Sequence, residues 1–117
     1  MKKIYVCHKA IEKKEEENEV IAFCKYVRSK GNLPIAPSIH FVRFITDEKR
    51  DSGFQKTASL SLISSCDELW YFGDTITTGM TDEICFAMEK GKRIQYITKE
   101  TFEKFIEPTE VHNEKTQ

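Results

Sequence analysis

The sequence lacks the features that would mark a metal-dependent, secreted or membrane-spanning protein. Its four cysteines, Cys7, Cys24, Cys66 and Cys85, lie far apart and form no C-x-x-C pair, which argues against a zinc site or a redox motif. No stretch is long and apolar enough to span a bilayer, and two lysines precede the first apolar segment where a signal sequence would be. We therefore expect a cytoplasmic protein with reduced thiols that needs no metal and no cofactor.

The chain also has no large excess of positive or negative side chains. Lysine and arginine number 18 against 19 aspartates and glutamates, a net charge of -1, so no global attraction to nucleic acid polymers or anionic membranes is expected. With 39% hydrophobic residues, the 117-residue chain has the composition of one folded domain. We assign residues 1–106 to this domain and expect the polar, patternless residues 107–117 to form a flexible tail.

Short apolar runs alternate with helical patterns along the chain. The runs predict four strands: Lys3–Cys7, Leu33–Ala36, Glu68–Phe72 and Arg93–Ile97. Pro34 favours an edge position for the second strand, because proline has no N–H to donate. Strands that alternate with helices predict an α/β fold, a small three-layer, doubly wound sandwich with a parallel sheet of about four strands, flavodoxin-like or Rossmann-like.

The helical patterns end at recognisable residues. Apolar residues between Val20 and Val27 predict a first helix that Gly31 ends. A second helix is predicted from about Asp47 to Ser65, a third from near Thr81 to Gly91, and a short fourth from a Thr98 cap to Phe105. Residues 37–44 are predicted to form an irregular loop.

Several polar residues follow or flank the strands, and in such folds ligands bind beyond the carboxyl ends of the strands. The predicted cleft brings together Tyr5, His8, Asp67, the loop from Gly73 to Thr81, and Glu83. A carboxylate can attack a glycosidic carbon while a second acid handles the proton of the leaving group. The first amides of the third helix, meanwhile, favour an anion.

Each of these residues also has a purely structural interpretation. Glu83 would complement the dipole of its helix, Asp67 would form a turn before its strand, and Tyr5 would be a core aromatic. Cys7 next to His8 suggests a reactive thiol, but adjacent strand residues point to opposite faces, which argues against the pairing.

The residues resemble a known group of proteins. The segments KIYVC, LPIAP, CDELWYFGD and TTGMTDEICFA look like the nucleoside 2-deoxyribosyltransferase-like superfamily, and most like a small branch of it found in bacteria and their phages. The resemblance extends from Lys3 to Ile97. It implies a nucleoside or nucleotide as the ligand and, by analogy with sites built between subunits, a homo-oligomer.

The resemblance also implies roles for individual residues. Glu83 matches the glutamate that attacks the anomeric carbon, Tyr5 matches the tyrosine that orients it, and Asp67 matches an aspartate that contacts the departing base. Gly79 matches the glycine of the turn before the nucleophile. Sugar or phosphate contacts are then expected from His8, Thr77, Thr78, Gly79, Met80 and Thr81.

The chain departs from the characterised enzymes of the superfamily at several positions. Thr77 replaces an aspartate of the transferases, while related deoxynucleotide hydrolases have a phosphate-binding serine there, which favours a nucleotide. The glycine-rich loop of those hydrolases is missing between His8 and Asn18. The asparagine that the transferases supply across subunits has no counterpart here. Three hypotheses follow: an N-glycosidic bond enzyme of transferase or hydrolase type, a module that binds a nucleotide without chemistry, and an interaction domain without a small ligand.

Overall fold

The computed structural model describes residues 1–41, 43–45 and 48–105, with the side chains of residues 48–52 outside that description. Strands and helices alternate through these residues. They are β1 (Lys3–Cys7), α1 (Lys14–Ser29), β2 (Leu33–Ile35), α2 (Pro37–Phe41), α3 (Glu48–Ser65), β3 (Glu68–Phe72), α4 (Thr78–Glu89) and β4 (Arg93–Ile97), followed by helical residues 99–105. The tail predicted for residues 107–117 lies outside the described residues.

The four strands form one sheet in the order β2-β1-β3-β4, and every neighbouring pair is parallel. The chain therefore leaves β1 toward β2 on one side and later returns to place β3 on the other side of β1. The α/β architecture and the parallel sheet predicted from the sequence are confirmed. Pro34 lies on an edge strand, as its missing N–H requires.

Helices cover both faces of the sheet. Alternate residues of each strand point to opposite faces, so the apolar side chains of each strand need cover on both sides. On one face, α1 and residues 99–105 cover a cluster that includes Ile4, Trp70 and Phe72. On the other face, α3 and α4 pack on Tyr5, Cys7 and Leu69. The side chains of the central strands are thus buried on both faces, which explains their nearly continuous apolar sequences.

Most predicted helix ends are confirmed. Gly31 and Gly91 have φ angles of 81° and 73°, the left-handed conformation that glycine adopts most easily after a helix. Thr98 accepts a hydrogen bond from the Thr101 amide at 3.1 Å and so caps the last helical residues. The predicted start of the second helix at Asp47 falls outside the described residues.

Three details differ from the sequence predictions. The segment predicted as an irregular loop contains α2, and Pro37 suits the first turn of that helix because its fixed φ is already helical. The third helix begins at Thr78, three residues earlier than predicted, because Thr77 caps it. The second strand ends at Ile35, one residue early.

None of the helices in the described part of the chain has the length and apolar character that crossing a bilayer requires.

Candidate functional site

A cavity of about 600 Å³ lies beyond the carboxyl end of β1, between α3 and the start of α4. Its volume falls in the range of small-molecule sites in proteins. β1 contributes Tyr5, α3 contributes Gln55 and Ser59, and α4 contributes Glu83. The loop after β1 and helix α2 line it as well, so the cavity is assembled from several segments that are separated in the sequence.

The cavity contains a short hydrogen bond between a phenol and a carboxyl group. The Tyr5 hydroxyl donates to Oε2 of Glu83 at 2.7 Å. Tyr5 is only 3% exposed and its ring packs into the core, so the hydroxyl has a fixed position. Since α4 also holds the backbone of Glu83 in place, the carboxylate orientation is set before any ligand arrives.

Two further side chains join this pair. Ser59 on α3 and the fully buried Cys7, on the same sheet face as Tyr5, lie close enough to the pair to influence the pKa of Tyr5 and Glu83. The Cys7 thiol itself donates to the Met80 carbonyl at 3.9 Å. Burial raises the pKa of Glu83, while the hydrogen bond from Tyr5 and the nearby Cys7 thiol act in the opposite direction. Burial, together with the nearby Glu83 charge, also raises the pKa of both Tyr5 and Cys7. These two groups therefore stay protonated at neutral pH and act as donors.

Five of the six side chains and backbone positions predicted for substrate binding line this cavity: His8, Thr77, Thr78, Gly79 and Met80. Thr81, the sixth, lies outside it, and its hydroxyl donates to the Thr77 carbonyl at 3.1 Å. Met80 is only 1% exposed and packs into the core, and its amide is already bonded to the Thr77 hydroxyl, so it has little to offer a ligand.

The start of α4 depends on Thr77, whose hydroxyl accepts a hydrogen bond from the Met80 amide at 3.2 Å. Because this bond satisfies an amide with no partner inside the helix, Thr77→Ala should lower the free energy of unfolding by about 1 kcal/mol. Urea unfolding would measure the change. Thr81→Ala is a control on the same helix, since its hydroxyl only returns to a carbonyl of the previous turn. An equal loss in both variants would contradict the capping role.

His8 forms part of the opposite wall. Its Nε2 lies 2.7 Å from the Ser38 hydroxyl and its Nδ1 lies 2.6 Å from the Lys9 carbonyl. Burial lowers the pKa of His8, so the ring is neutral at pH 7. The neutral ring donates its Nδ1–H to the Lys9 carbonyl and accepts the Ser38 hydroxyl at Nε2, so the phosphate contact expected from this residue finds neither a positive charge nor a free N–H.

Asp67 does not join the other predicted residues. It precedes β3 and so lies at the amino end of the sheet, where its Oδ2 accepts a hydrogen bond from the Lys3 amide at 2.7 Å. The cavity opens at the carboxyl end, to which Tyr5, His8 and Glu83 contribute. The convergence of Asp67 with Tyr5 and Glu83 expected from the sequence is therefore not observed. Its contact fits the alternative in which Asp67 stabilises the turn into the strand.

The rim of the cavity carries charge and aromatic rings. Lys56 Nζ lies 3.7 Å from Asp82 Oδ2, and both side chains are more than half exposed. Phe41 lines the cavity, and its ring centroid is 5.9 Å from that of Phe44 and 6.1 Å from that of Phe54. A ligand thus meets a solvent-facing ion pair and an apolar ring as well as the buried carboxyl group.

The sequence analysis missed Ser59 and Gln55. They lie four residues apart on α3, so their spacing places them on one helix face, but it does not show that this face turns toward the cavity. Among the side chains that the structure describes, we find no group of three or more His, Cys, Asp or Glu residues close enough together to hold a metal ion.

The fold and the site define a class: a small doubly wound α/β domain with a tyrosine-held glutamate beside the start of a helix. A family model for a domain of unknown function, DUF7768, matches residues 2–97, and the chain belongs to that family. Among curated proteins, none matches.

A solved structure has a similar fold. It is a 2-deoxyribosyltransferase from Bacillus psychrosaccharolyticus, described as a biocatalyst for the synthesis of nucleosides, with a TM-score of 0.61 and 21% sequence identity. The similarity covers 82% of the present chain and 72% of the transferase. It shows that the two proteins share a fold.

Proposed function

We propose that this protein cleaves or transfers the N-glycosidic bond of a nucleoside or nucleotide, with Glu83 as the nucleophile. One contact supports this most directly: the 2.7 Å hydrogen bond that holds the Glu83 carboxylate beside an open cavity. The fold shared with a 2-deoxyribosyltransferase supports the choice of substrate class.

The reaction has two steps. An oxygen of Glu83 forms a bond to the anomeric carbon, and the bond from that carbon to the base nitrogen breaks, with its electron pair going to the base. Water or a second base then attacks the same carbon, loses a proton to solvent, and displaces the carboxylate. Tyr5 fixes the carboxylate by donating to one oxygen and leaves the other oxygen to attack.

The surroundings of the pair suggest how the rest of the substrate is held. Thr78 and Gly79 line the cavity at the start of α4, where a hydroxyl and amides without a partner inside the helix suit a sugar hydroxyl or a phosphate. The departing base would lie toward Gln55 and Phe41 and take its proton from solvent near Lys56. We leave Asp67 out of the mechanism because its carboxylate is held at the other end of the sheet.

Liquid chromatography of deoxynucleosides and their 5'-monophosphates, incubated with the protein with and without a second free base, tests the proposal. Release of free base without an added second base indicates hydrolysis, and formation of a new nucleoside when the second base is present indicates transfer. No base release from any of the common substrates would count against Glu83 chemistry.

The pH dependence of base release should reveal the buried carboxylate. Glu83 must be ionised to attack, and burial raises its pKa above the ordinary value of 4.5. The rate should therefore increase with pH through a midpoint above 4.5. Initial rates between pH 4 and pH 8 would measure it, and a midpoint at or below the ordinary value would contradict the burial effect.

A second candidate function is nucleotide binding without chemistry. Two departures from the characterised enzymes favour it: the glycine-rich loop is missing between His8 and Asn18, and a threonine stands at position 77. A thermal shift with nucleotides but no released base would identify this function, since a ligand that binds only the folded state raises the unfolding temperature.

A further inference from the structure

A second cavity, of about 300 Å³, lies on the α1 face of the sheet, again beyond the carboxyl ends of the strands. The loops that follow β1 and β3 contribute Lys9 and Asp74 to its walls, and α1 contributes Glu19. The chain leaves β1 and β3 in opposite directions at this point, and ligands of doubly wound folds bind at such places. His8 borders both cavities, but the chemistry proposed for Glu83 makes no use of the second one.

The floor of the second cavity is aromatic. The rings of Phe23 and Phe72 stack with centroids 4.4 Å apart, and Phe102 meets Phe23 edge-on at 4.9 Å. Val20 and Ile97 complete the apolar part. A flat ring system would be desolvated against this floor without leaving a buried polar group unpaired.

The rim determines the charge that a ligand can carry. It holds three carboxylates, Glu16, Glu19 and Asp74, against two ammonium groups, Lys9 and Lys99. Lys9 is paired with Glu16 at 3.1 Å, and Lys99 lies 3.9 Å from Glu103. Because both cations already have carboxylate partners, the rim offers a negative field that disfavours phosphates and other anions.

We propose that this second cavity binds a flat heteroaromatic molecule that is uncharged or cationic, such as a free nucleobase. The site is separate from the Glu83 cavity and does not depend on the reaction proposed there.

NMR with methyl-labelled protein tests the inference, using adenine as the probe and the Glu83→Gln variant so that no turnover interferes. Ring protons of adenine should show nuclear Overhauser effects to the methyl groups of Val20 and Ile97, which line only the second cavity. Contacts to Met80 or Leu60 alone would place adenine in the first cavity and overturn the inference. The absence of any contact at millimolar adenine would overturn it as well.

Adenosine monophosphate tests the role of the rim. It should give no contact to Val20 in the parent protein, whereas Glu19→Lys should strengthen its binding there by roughly fivefold through one reversed charge. Glu15→Lys is the matched control, an exposed glutamate on α1 that does not line the cavity. Contact between the nucleotide and Val20 in the parent protein, or equal effects of the two variants, would contradict the charge selectivity.

Discussion

Replacing Glu83 by glutamine should reduce base release by on the order of a thousandfold or more, because the amide cannot form the glycosyl ester on which both steps depend. The substitution keeps the size of the side chain and still allows the amide oxygen to accept the Tyr5 hydroxyl. Chromatographic base release measures the rate, and circular dichroism establishes that the variant is folded.

The stability of this variant separates a chemical effect from misfolding. The pKa of Glu83 is higher in the folded state than in the unfolded state, so protonation of this side chain stabilises the fold. This contribution to the free energy of unfolding is fully present below pH 4.5 and is lost as the pH rises through the folded-state pKa. At pH 7 the ionised carboxylate therefore costs stability that a neutral glutamine does not. Glu83→Gln should unfold at the same temperature as the parent or at a higher one.

Glu89→Gln provides the matched control. Glu89 lies on the same helix, is exposed and does not line the cavity. Its substitution should leave base release unchanged. A Glu83→Gln protein that released base at the parent rate would eliminate the proposed nucleophile, and an equal loss in both variants would indicate a general effect of charge on α4.

The strands could be read from the sequence because each is a short apolar run between polar segments. Lys3–Cys7, Glu68–Phe72 and Arg93–Ile97 have the same bounds in the structure as in the prediction. β1 and β3 are buried on both faces and are therefore apolar over most of their length, while the edge strand β4 alternates Arg93 and Gln95 with apolar residues. The start of α4 was harder to place, because threonines occur at 75, 77, 78 and 81 and only the observed bond to the Met80 amide identifies the cap.

The site could be predicted in part. The rule that ligands bind beyond the carboxyl ends of the strands, together with the resemblance, placed Tyr5 near Glu83, and the structure shows the two in contact although 78 positions separate them. Asp67 was misplaced because the sequence argument considered its nearness to β3 and not the end of the strand it precedes. A residue just before a parallel strand lies at the amino end of the sheet, opposite the ligand cleft.

Ser59 was missed for a different reason. The apolar residues of α3 do not form a clear stripe, so periodicity does not show which side of the helix faces β1. Only the packing of α3 against the sheet turns Ser59 toward the Tyr5 hydroxyl. The rotation of a weakly amphipathic helix about its axis is a tertiary property, and a single sequence does not contain it.

Replacing Tyr5 by phenylalanine should lower the rate of base release by about 10- to 100-fold, since it removes one hydrogen bond to a charged group. The ring remains to fill the core, so the effect on stability should be small. The lost bond also favours the ionised form of Glu83, so its removal should move the midpoint of the pH–rate profile to higher pH. A purely structural role for Tyr5 would not produce this displacement.

Tyr71→Phe is the control for this change. Tyr71 lies on the same face of the sheet and stacks on Tyr96 with ring centroids 4.8 Å apart, but it does not line the cavity. Initial rates of both variants between pH 4 and pH 8 make the comparison, with Tyr71→Phe expected to follow the parent profile. If Tyr5→Phe kept the rate and the pH midpoint of the parent protein, the Tyr5 hydroxyl would have no role in orienting Glu83. Glu83 would still be the nucleophile in that case, provided that Glu83→Gln was inactive.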